Sequence, residues 1–466
     1  MAKKIKEGWI LAAVAVVMAA ALYMQRHPGY SWERDLSQRI AVDFNRTQEE
    51  VKSYISQYLP DVTDEQIEAW TKAGKLESMQ IGGRTMYFHA AAPNLFRIDP
   101  ELAALKASRT DGGDVSKSGT PLDGHEAVDA VTIPAIRRGV EQALSEGTAA
   151  TGNPYLAEPR RMRVTFTLTV PAYTLRPGKR IRCWLPYPRT DTDRQGGIRF
   201  IEAGVDGKAL PADRITFSDP SCAHSSLYME GKAHRDRPTT FHEVFEYTSS
   251  GEWHPMAAGD ALPYRTDDED YRRYTAEEGP HLRFSERIRH LADSLTAGIT
   301  DPYLQALAFF TWIDGNFPWA SAREYSTIPN IPEYVLDAGH GDCGQKTLLL
   351  MALCRCKGIP IRWQSGLMMH PGSQNLHDWA EIYFEGKGWM PVDQSFGITP
   401  YGGTFFLGGI EPYRMVVNNG FAEELSPKKK FPRSDNVDFQ RGEVEWDYGN
   451  LYFNQWSYHF DIEYLD

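Results

Sequence analysis

The chain has 466 residues, of which 42% are apolar and 24% are charged, a composition typical of folded globular domains. This length predicts two or three globular units rather than one. The formal net charge of −12 excludes nucleic acid as the main partner, because phosphate binding requires a basic surface.

The N-terminus has the layout of an export signal. Three lysines precede an uncharged apolar stretch, Trp9 to Met24, and small alanines lie near its far end. The stretch is close to the lower limit of about 17 residues for a spanning helix. Two interpretations therefore stay open for residues 1–28, a cleaved signal peptide or an uncleaved membrane anchor. In both cases we expect the rest of the chain to be exported, to the periplasm or the cell exterior.

Residues 29–160 form a region that is predicted to be mainly helical. The segments 47–59 and 63–74 each begin with a threonine cap, and a Gly-Gly pair within 79–88 separates two apolar runs, which indicates a hairpin. The polar, glycine-rich run 108–124 predicts a linker, after which a helical pattern returns.

A β-sandwich-like domain is predicted over residues 161–260. From Arg161 onward apolar and polar residues alternate, which is typical of a strand with one buried face, and further short strands follow. Cys183 and Cys222 lie in this region and can form a disulfide if their strands meet. Because the chain has five cysteines, at least one thiol has no partner within it.

The next unit is predicted over residues 275–416. Two amphipathic helices, 285–299 and 301–317, precede a helix that begins at Cys343, and three strand-like runs follow that helix. Helices followed by an antiparallel sheet make an α+β layout. A C-terminal extension, 417–466, is predicted to end in strands.

The position of Cys343 at the first turn of a helix favours nucleophilic chemistry. Unpaired backbone N–H groups and the helix dipole lower the pKa of a thiol there and can hold an oxyanion. The charge of Asp342 opposes a thiolate unless this residue caps the helix. A nucleophilic cysteine also needs an imidazole and an orienting group, for which His377 and Asp393 are the candidates. A three-residue turn at 385–387 would place Asp393 diagonal to His377 on one face of the sheet.

These segments resemble the transglutaminase-like superfamily, whose core is a circularly related version of the papain-like fold. The family pattern is a Gly-x-Cys at a helix start, then Gly-Ile-Pro-x-Arg, His-x-Trp-x-Glu and Gly-Trp-x-x-x-Asp strands. The matching positions are Gly341 and Cys343, Gly358 to Arg362, His377, Trp379 and Glu381, and Gly388, Trp389 and Asp393.

By this resemblance Cys343 is the nucleophile, His377 is the general base and acid, and Asp393 orients the imidazole. We expect Asp393 to serve catalysis rather than stability. Trp319 and Tyr325 are candidates for the second oxyanion donor. The resemblance implies no cofactor, and neither zinc-ligand spacing nor a calcium motif is present.

The expected fold is thus α+β, with helices packed on an antiparallel sheet in a transglutaminase-like (papain-like) core, preceded by a helical region and a β-sandwich-like domain. The resemblance implies a thioester at Cys343, formed from a protein or peptide amide or from a cell-envelope polymer. Water as acceptor makes a protease, amidase or deamidase, and an amine makes a transglutaminase. A catalytically silent binding module of the cell envelope, which recognises peptide or glycan, is the alternative. We interpret His340 and His370 as loop histidines.

Overall fold

The computed structural model describes residues 32–109, 125–147 and 152–465. The predicted export segment, 1–28, and nearly all of the predicted linker, 108–124, lie outside these ranges. Among the helices that are described, none combines the length and the apolar character needed to traverse a membrane.

The α-helices of the described ranges are α1 (Trp32–Asp43), α2 (Gln48–Ser56), α3 (Asp64–Lys72), α4 (Ala91–Ile98), α5 (Pro100–Arg109), α6 (His125–Glu146), α7 (Glu269–Tyr274), α8 (Glu286–Leu295), α9 (Pro302–Asn316), α10 (Ile331–Ala338) and α11 (Cys343–Cys356).

The strands are β1 (Phe44–Arg46), β2 (Ser78–Ile81), β3 (Arg84–Phe88), β4 (Leu156–Val170), β5 (Arg180–Pro186), β6 (Gln195–Val205), β7 (Lys208–Ala209), β8 (Ile215–Phe217), β9 (Ser226–Lys232), β10 (Thr239–Trp253), β11 (Ile361–His370), β12 (Ser373–Phe384), β13 (Gly388–Val392), β14 (Gly409–Ile410), β15 (Arg414–Asn418), β16 (Glu443–Trp446), β17 (Gly449–Leu451) and β18 (Ser457–Tyr464).

The N-terminal unit consists of helices α1 to α5 and a three-stranded sheet with its own apolar core. Thr47 and Thr63 cap α2 and α3 through complete capping boxes, so both predicted helix starts are confirmed. The predicted hairpin is confirmed as well, with Gly82 and Gly83 at positive φ in its turn. Asn94 of α4 bonds to the backbone of Ser321 and thereby joins this unit to the loop that leads to α10.

Two antiparallel sheets enclose the sandwich core. Their strand orders are β18-β4-β10-β6-β7, with β14 beside β10, and β17-β16-β5-β9-β8. The alternation that follows Arg161 is confirmed, because Val164, Phe166 and Leu168 are buried while the residues between them are half-buried. Three strands of these two sheets, β16 to β18, come from the predicted C-terminal extension, so that extension is part of the sandwich.

The third large sheet, β13-β12-β11-β15, carries the candidate site. Helix α11 lies against it, and α8, α9 and α10 complete one apolar core. Helix α6 also packs into this core through Ile133, Ile136 and Val140, although its sequence belongs to the predicted N-terminal region.

All five cysteines are free thiols. Cys183 is buried on β5 and Cys222 lies in the loop before β9, so the bridge that the sequence left open does not form.

Candidate active site

The helix that carries the candidate nucleophile begins at the predicted residue. Cys343 is the first residue of α11, and Asp342 is its N-cap. The Asp342 carboxylate accepts the backbone N–H of Gln345 at 3.0 Å, and the Gln345 side chain accepts the N–H of Asp342 at 3.3 Å. Asp342 therefore caps the helix. Capping is the condition under which its charge was expected not to oppose a thiolate at Cys343.

Cross-strand register brings His377 and Asp393 together. Phe384 pairs with Gly388 across the predicted turn, and Ala380 pairs with Val392, so Asp393 follows at the position opposite Trp379. The predicted register is confirmed. His377 Nε2 lies 2.8 Å from Asp393 Oδ2, and both side chains are buried.

The second oxygen of Asp393 is also engaged. Asp393 Oδ1 accepts the backbone N–H groups of Ser395 and Phe396 at 2.9 and 3.1 Å. The carboxylate is thus fixed by the turn that follows β13, with Oδ2 toward His377. Because Asp393 binds Nε2, the imidazole tautomer with its proton on Nε2 leaves Nδ1 as the basic nitrogen.

The charges around this pair favour an ionised aspartate and a neutral histidine. Burial raises the pKa of Asp393, but His377 and Arg414 outweigh burial and hold that pKa below its usual value. Burial lowers the pKa of His377, and Asp393 only partly offsets this.

The environment of the Cys343 thiol, unlike that of Asp393, disfavours the ionised form. Burial raises the pKa of Cys343 well above its usual value, and the carboxyls of Asp378 and Asp342 raise it further. Cys343 Sγ donates to Asp378 Oδ2 at 3.5 Å, and no hydrogen bond in the described residues joins it to His377. The expectation of a thiol pKa lowered by the helix N-terminus is therefore wrong, because burial and two acidic neighbours raise this pKa.

Sequence reasoning missed Asp378 altogether. Successive strand residues point to opposite faces, so strand periodicity alone places Asp378 on the face opposite His377. Instead Asp378 reaches the start of α11, where a Cβ on Gly344 would collide with its carboxylate. The Asp-Cys-Gly sequence was the available signal, since glycine there permits this close approach.

Asp378 belongs to a buried group of acids. Burial raises the pKa of Asp378 well above its usual value, and Asp438 and Asp342 raise it further. Gln440 Nε2 donates to Asp378 Oδ1 at 2.6 Å, and the hydroxyl of Tyr325 lies 3.1 Å from Oδ2. The pKa of the Asp378 carboxyl is thus raised beside a thiol whose own pKa is raised.

The two candidate oxyanion donors, Tyr325 and Trp319, make different contacts. The Tyr325 hydroxyl donates to Asp342 Oδ1 at 2.6 Å and is engaged with the acidic group. Trp319 forms a backbone bridge to Gly341, two residues before Cys343, and the guanidinium of Arg97 lies 4.8 Å from its ring centroid.

The other motif residues have structural roles. Glu381 and Arg362 face each other across β12 and β11 and form an ion pair at 2.6 Å, on which the Trp389 ring stacks. Trp379 is fully buried and donates to Gln364 at 2.8 Å.

The interpretation of His370 as a loop histidine is wrong. It is the last residue of β11, fully buried, with Nε2 2.9 Å from Asp129 of α6 and 3.6 Å from Glu411. His340 does lie in a loop, where it is buried.

Asp129, His370 and Glu411 place three ligand atoms within 4.8 Å of one another, a spacing that suits a metal ion. The guanidinium of Arg414 already forms an ion pair with Glu411 in this cluster and supplies the compensating positive charge. The cluster is therefore better explained as a buried ion-pair network.

Residues 289–394 match the family model of the transglutaminase-like superfamily. This part of the chain is a transglutaminase-like core, which confirms the fold class implied by the resemblance. Among curated proteins, the uncharacterized protein YebA of Bacillus subtilis (strain 168) is 25% identical over 133 residues. That match covers 24% of this chain and 18% of the length of YebA.

Two solved structures are similar at low sequence identity. A protein of Cytophaga hutchinsonii, provisionally described as a cysteine protease, aligns with a TM-score of 0.46 and 16% identity over 67% of this chain and 93% of its own. The periplasmic domain of TgpA from Pseudomonas aeruginosa aligns with a TM-score of 0.26 and 13% identity, over 51% and 88% of the two chains. Neither likeness is close enough to support an argument about function.

Proposed function

We propose that the chain is a cysteine-dependent enzyme that hydrolyses or transfers an acyl group from an amide, with Cys343, His377 and Asp393 as its catalytic residues. The observation that supports this most directly is the 2.8 Å contact of His377 Nε2 with Asp393 Oδ2 in a core whose central helix begins at Cys343. A buried imidazole held by a carboxylate at this place is the arrangement that a cysteine nucleophile requires.

The resting site holds a neutral thiol and a neutral imidazole, because the pKa of Cys343 is raised and that of His377 is lowered. Catalysis then begins with transfer of the thiol proton to His377 Nδ1 as sulfur attacks the amide carbonyl carbon. The free N–H groups at the start of α11 stabilise the oxyanion. His377 next protonates the departing amine, which leaves a thioester on Cys343.

The acceptor of the thioester determines the reaction. Water, deprotonated by His377, releases the acid and makes the enzyme a protease, amidase or deamidase, whereas an amine makes it a transglutaminase. The substrate we propose is a protein or peptide amide, which includes the peptide part of a cell-envelope polymer.

We place this activity outside the cytoplasm. The proposal depends on the layout of residues 1–28, where three lysines precede an uncharged apolar stretch. A reporter phosphatase that is active only after export, fused behind residue 40, tests it. Activity of the fusion supports export, and an inactive cytoplasmic fusion contradicts it.

A second candidate function is supported by the contact between Cys343 and Asp378. A thiol that donates to a carboxyl at 3.5 Å and has a raised pKa is poorly prepared to react. A catalytically silent binding module that recognises peptide or glycan would keep such a site as scaffold.

A substrate screen separates the two functions. Casein and glutamine-containing peptides are incubated with the full chain, and released peptides, ammonia and amine incorporation are measured. We expect turnover with the wild-type chain and none with Cys343→Ala or His377→Ala variants of unchanged melting temperature. Residual activity in Cys343→Ala would contradict the assignment of the nucleophile.

Labelling of the folded chain with iodoacetamide completes the test. Cys343 is expected to be alkylated in the wild type and markedly more slowly in His377→Ala. Equal alkylation of the two proteins, with no turnover, favours the binding module.

A further inference from the structure

Asp393 Oδ2 accepts hydrogen bonds from two cationic or potentially cationic groups. Arg414 Nη1 donates to this oxygen at 2.6 Å, and His377 Nε2 lies 2.8 Å from the same atom. Arg414 and Asp393 are both fully buried. Arg414 follows Asp393 by 21 residues and lies on β15, so no local motif links the two.

The guanidinium is held rigidly from several directions. Its Nε donates to Glu411, and its Cζ lies 4.2 Å from the ring centroid of Phe396 and 5.6 Å from that of Trp379. The backbone of Arg414 pairs with Met368 of β11, the strand beside the one that carries His377. Such a side chain can hold its partner carboxylate in one orientation.

We propose that Arg414 is a positioning residue of this site, which holds the Asp393 carboxylate toward His377 and keeps the imidazole in its neutral, proton-accepting form. The proposal deepens the proposed function and depends on it for its catalytic meaning. The contacts themselves hold in the folded chain whether or not a substrate is known.

The charge effect follows from where Arg414 binds. A carboxylate that shares one oxygen between an arginine and an imidazole stabilises the imidazolium less than an unshared carboxylate does. The positive charge of Arg414 also acts on His377 directly and lowers its pKa, in the same direction as burial. A neutral His377 is the form that can take the proton of a Cys343 thiol.

The other titratable groups around His377 are Asp393 and Glu411, which raise its pKa, and His125 at the start of α6, which interacts with it electrostatically. On α11, the titratable groups near the site are Cys343 and the buried Lys346, and Lys346 interacts electrostatically with Cys343 and Asp393. Glu411 is the most informative of these groups, because it forms an ion pair with Arg414 and raises the pKa of His377, which Arg414 lowers.

Arg414 and Glu411 therefore make opposite predictions for the same histidine. In Arg414→Gln the titration midpoint of His377 should rise by about one pH unit, because a positive charge is lost and Asp393 is no longer shared. In Glu411→Gln it should fall, because the charge of Arg414 is then less compensated. Arg414→Lys, which keeps the positive charge, should remain closer to the wild type than Arg414→Gln.

The test is a pH titration of the full chain labelled with ¹³C at histidine Cε1 and followed by NMR, with His377→Asn to identify the signal. Opposite shifts in Arg414→Gln and Glu411→Gln support the proposal. An unchanged midpoint in Arg414→Gln, or shifts of the same sign in both variants, overturns it, because general loosening of the site would move both alike. If Arg414→Gln does not fold, Glu411→Gln decides alone, and only a lowered midpoint supports the proposal.

This readout needs no turnover. Opposite shifts in a chain that shows no enzymatic activity would contradict the proposed function and leave the positioning role of Arg414 standing. Turnover combined with an unchanged titration midpoint of His377 in Arg414→Gln would support the proposed function and contradict the positioning role of Arg414.

Discussion

The pKa values of two buried aspartates at the candidate site are shifted in opposite directions. Asp393, fully buried, has a pKa held below its usual value, whereas Asp378, 4% exposed, has a pKa raised well above it. Burial acts on both in the same direction. The neighbours differ, since Asp393 contacts Arg414 and His377, and Asp378 lies among carboxyls.

The comparison shows that partners, and not depth, decide the direction in which the pKa of a buried acid shifts. It also divides the site into a half around His377, where partners lower the pKa of the acid, and a half around Cys343, where they raise it. In the proposed mechanism the thiol proton passes from the half around Cys343 to the half around His377, and each half can be disturbed separately.

The largest effect is expected for Asp393→Asn. Turnover should fall by about 10⁴-fold, because the imidazole loses the group that fixes its tautomer. The free energy of unfolding should also fall, by roughly 3 kcal/mol, because the buried Arg414 loses a counter-charge. Enzyme assays and thermal denaturation measure the two losses. The ion pair with Arg414 thus predicts a role in stability besides the expected role of Asp393 in catalysis.

His377→Asn is the matched control for this prediction. It should be as inactive as Asp393→Asn but closer to the wild type in melting temperature, since Arg414 keeps its partner. If Asp393→Asn melts at the wild-type temperature, the carboxylate is not what compensates Arg414.

Asp378→Asn tests the half around Cys343 and should have an intermediate effect. Removal of the carboxyl takes away one of the groups that raise the pKa of Cys343, so alkylation by iodoacetamide at neutral pH should become about tenfold faster. Peptide mass spectrometry follows the reaction. Cys356, whose pKa burial raises to about 11, serves as an internal control with an unchanged rate. A Cys343 rate equal to that of the wild type would mean that burial alone sets its reactivity.

The smallest effect is expected in the pH dependence of stability. Burial raises the pKa of Asp438 to about 6, above the ordinary value of 3.8, so the folded chain retains a proton that the unfolded chain releases between these values. Stability therefore decreases as pH rises from about 4 to about 6. The lowered pKa of Asp393 has the opposite sign, and its contribution is lost only as pH falls below about 4.

Asp438→Asn should reduce the decrease in melting temperature between pH about 4 and about 6, by a few degrees. Scanning fluorimetry across this range compares the variant with the wild type. Identical slopes for the two proteins would show that Asp438 is ionised in the folded chain.

Much of the candidate site was predictable because its signals are local. The turn at 385–387 fixes the register of β12 and β13, and that register alone brings Asp393 to His377. Capping by Asp342 likewise depends on residues within one helical turn. Both predictions needed only strand and helix periodicity.

The remaining contacts involve elements that are distant in sequence. Arg414 reaches Asp393 from β15, Asp438 reaches Asp378 from the loop before β16, and Asp129 reaches His370 from α6. No pattern within the chain states which of these elements will be neighbours. The charge states of the site depend on such long-range contacts, which is why the raised pKa of the thiol could not be predicted.

The way β16 to β18 complete the sandwich has a consequence for the order in which the protein can fold. Strand β18 pairs with β4 over eight residues, and the Phe166 and Phe460 rings stack at 6.1 Å, yet the whole transglutaminase-like core lies between these strands in the sequence. During synthesis the core is therefore complete before the domain that precedes it. A nascent chain that stops before residue 443 leaves β4 and β5 as edges with unpaired backbone groups. Such a chain would be prone to aggregate although its transglutaminase-like core is already made.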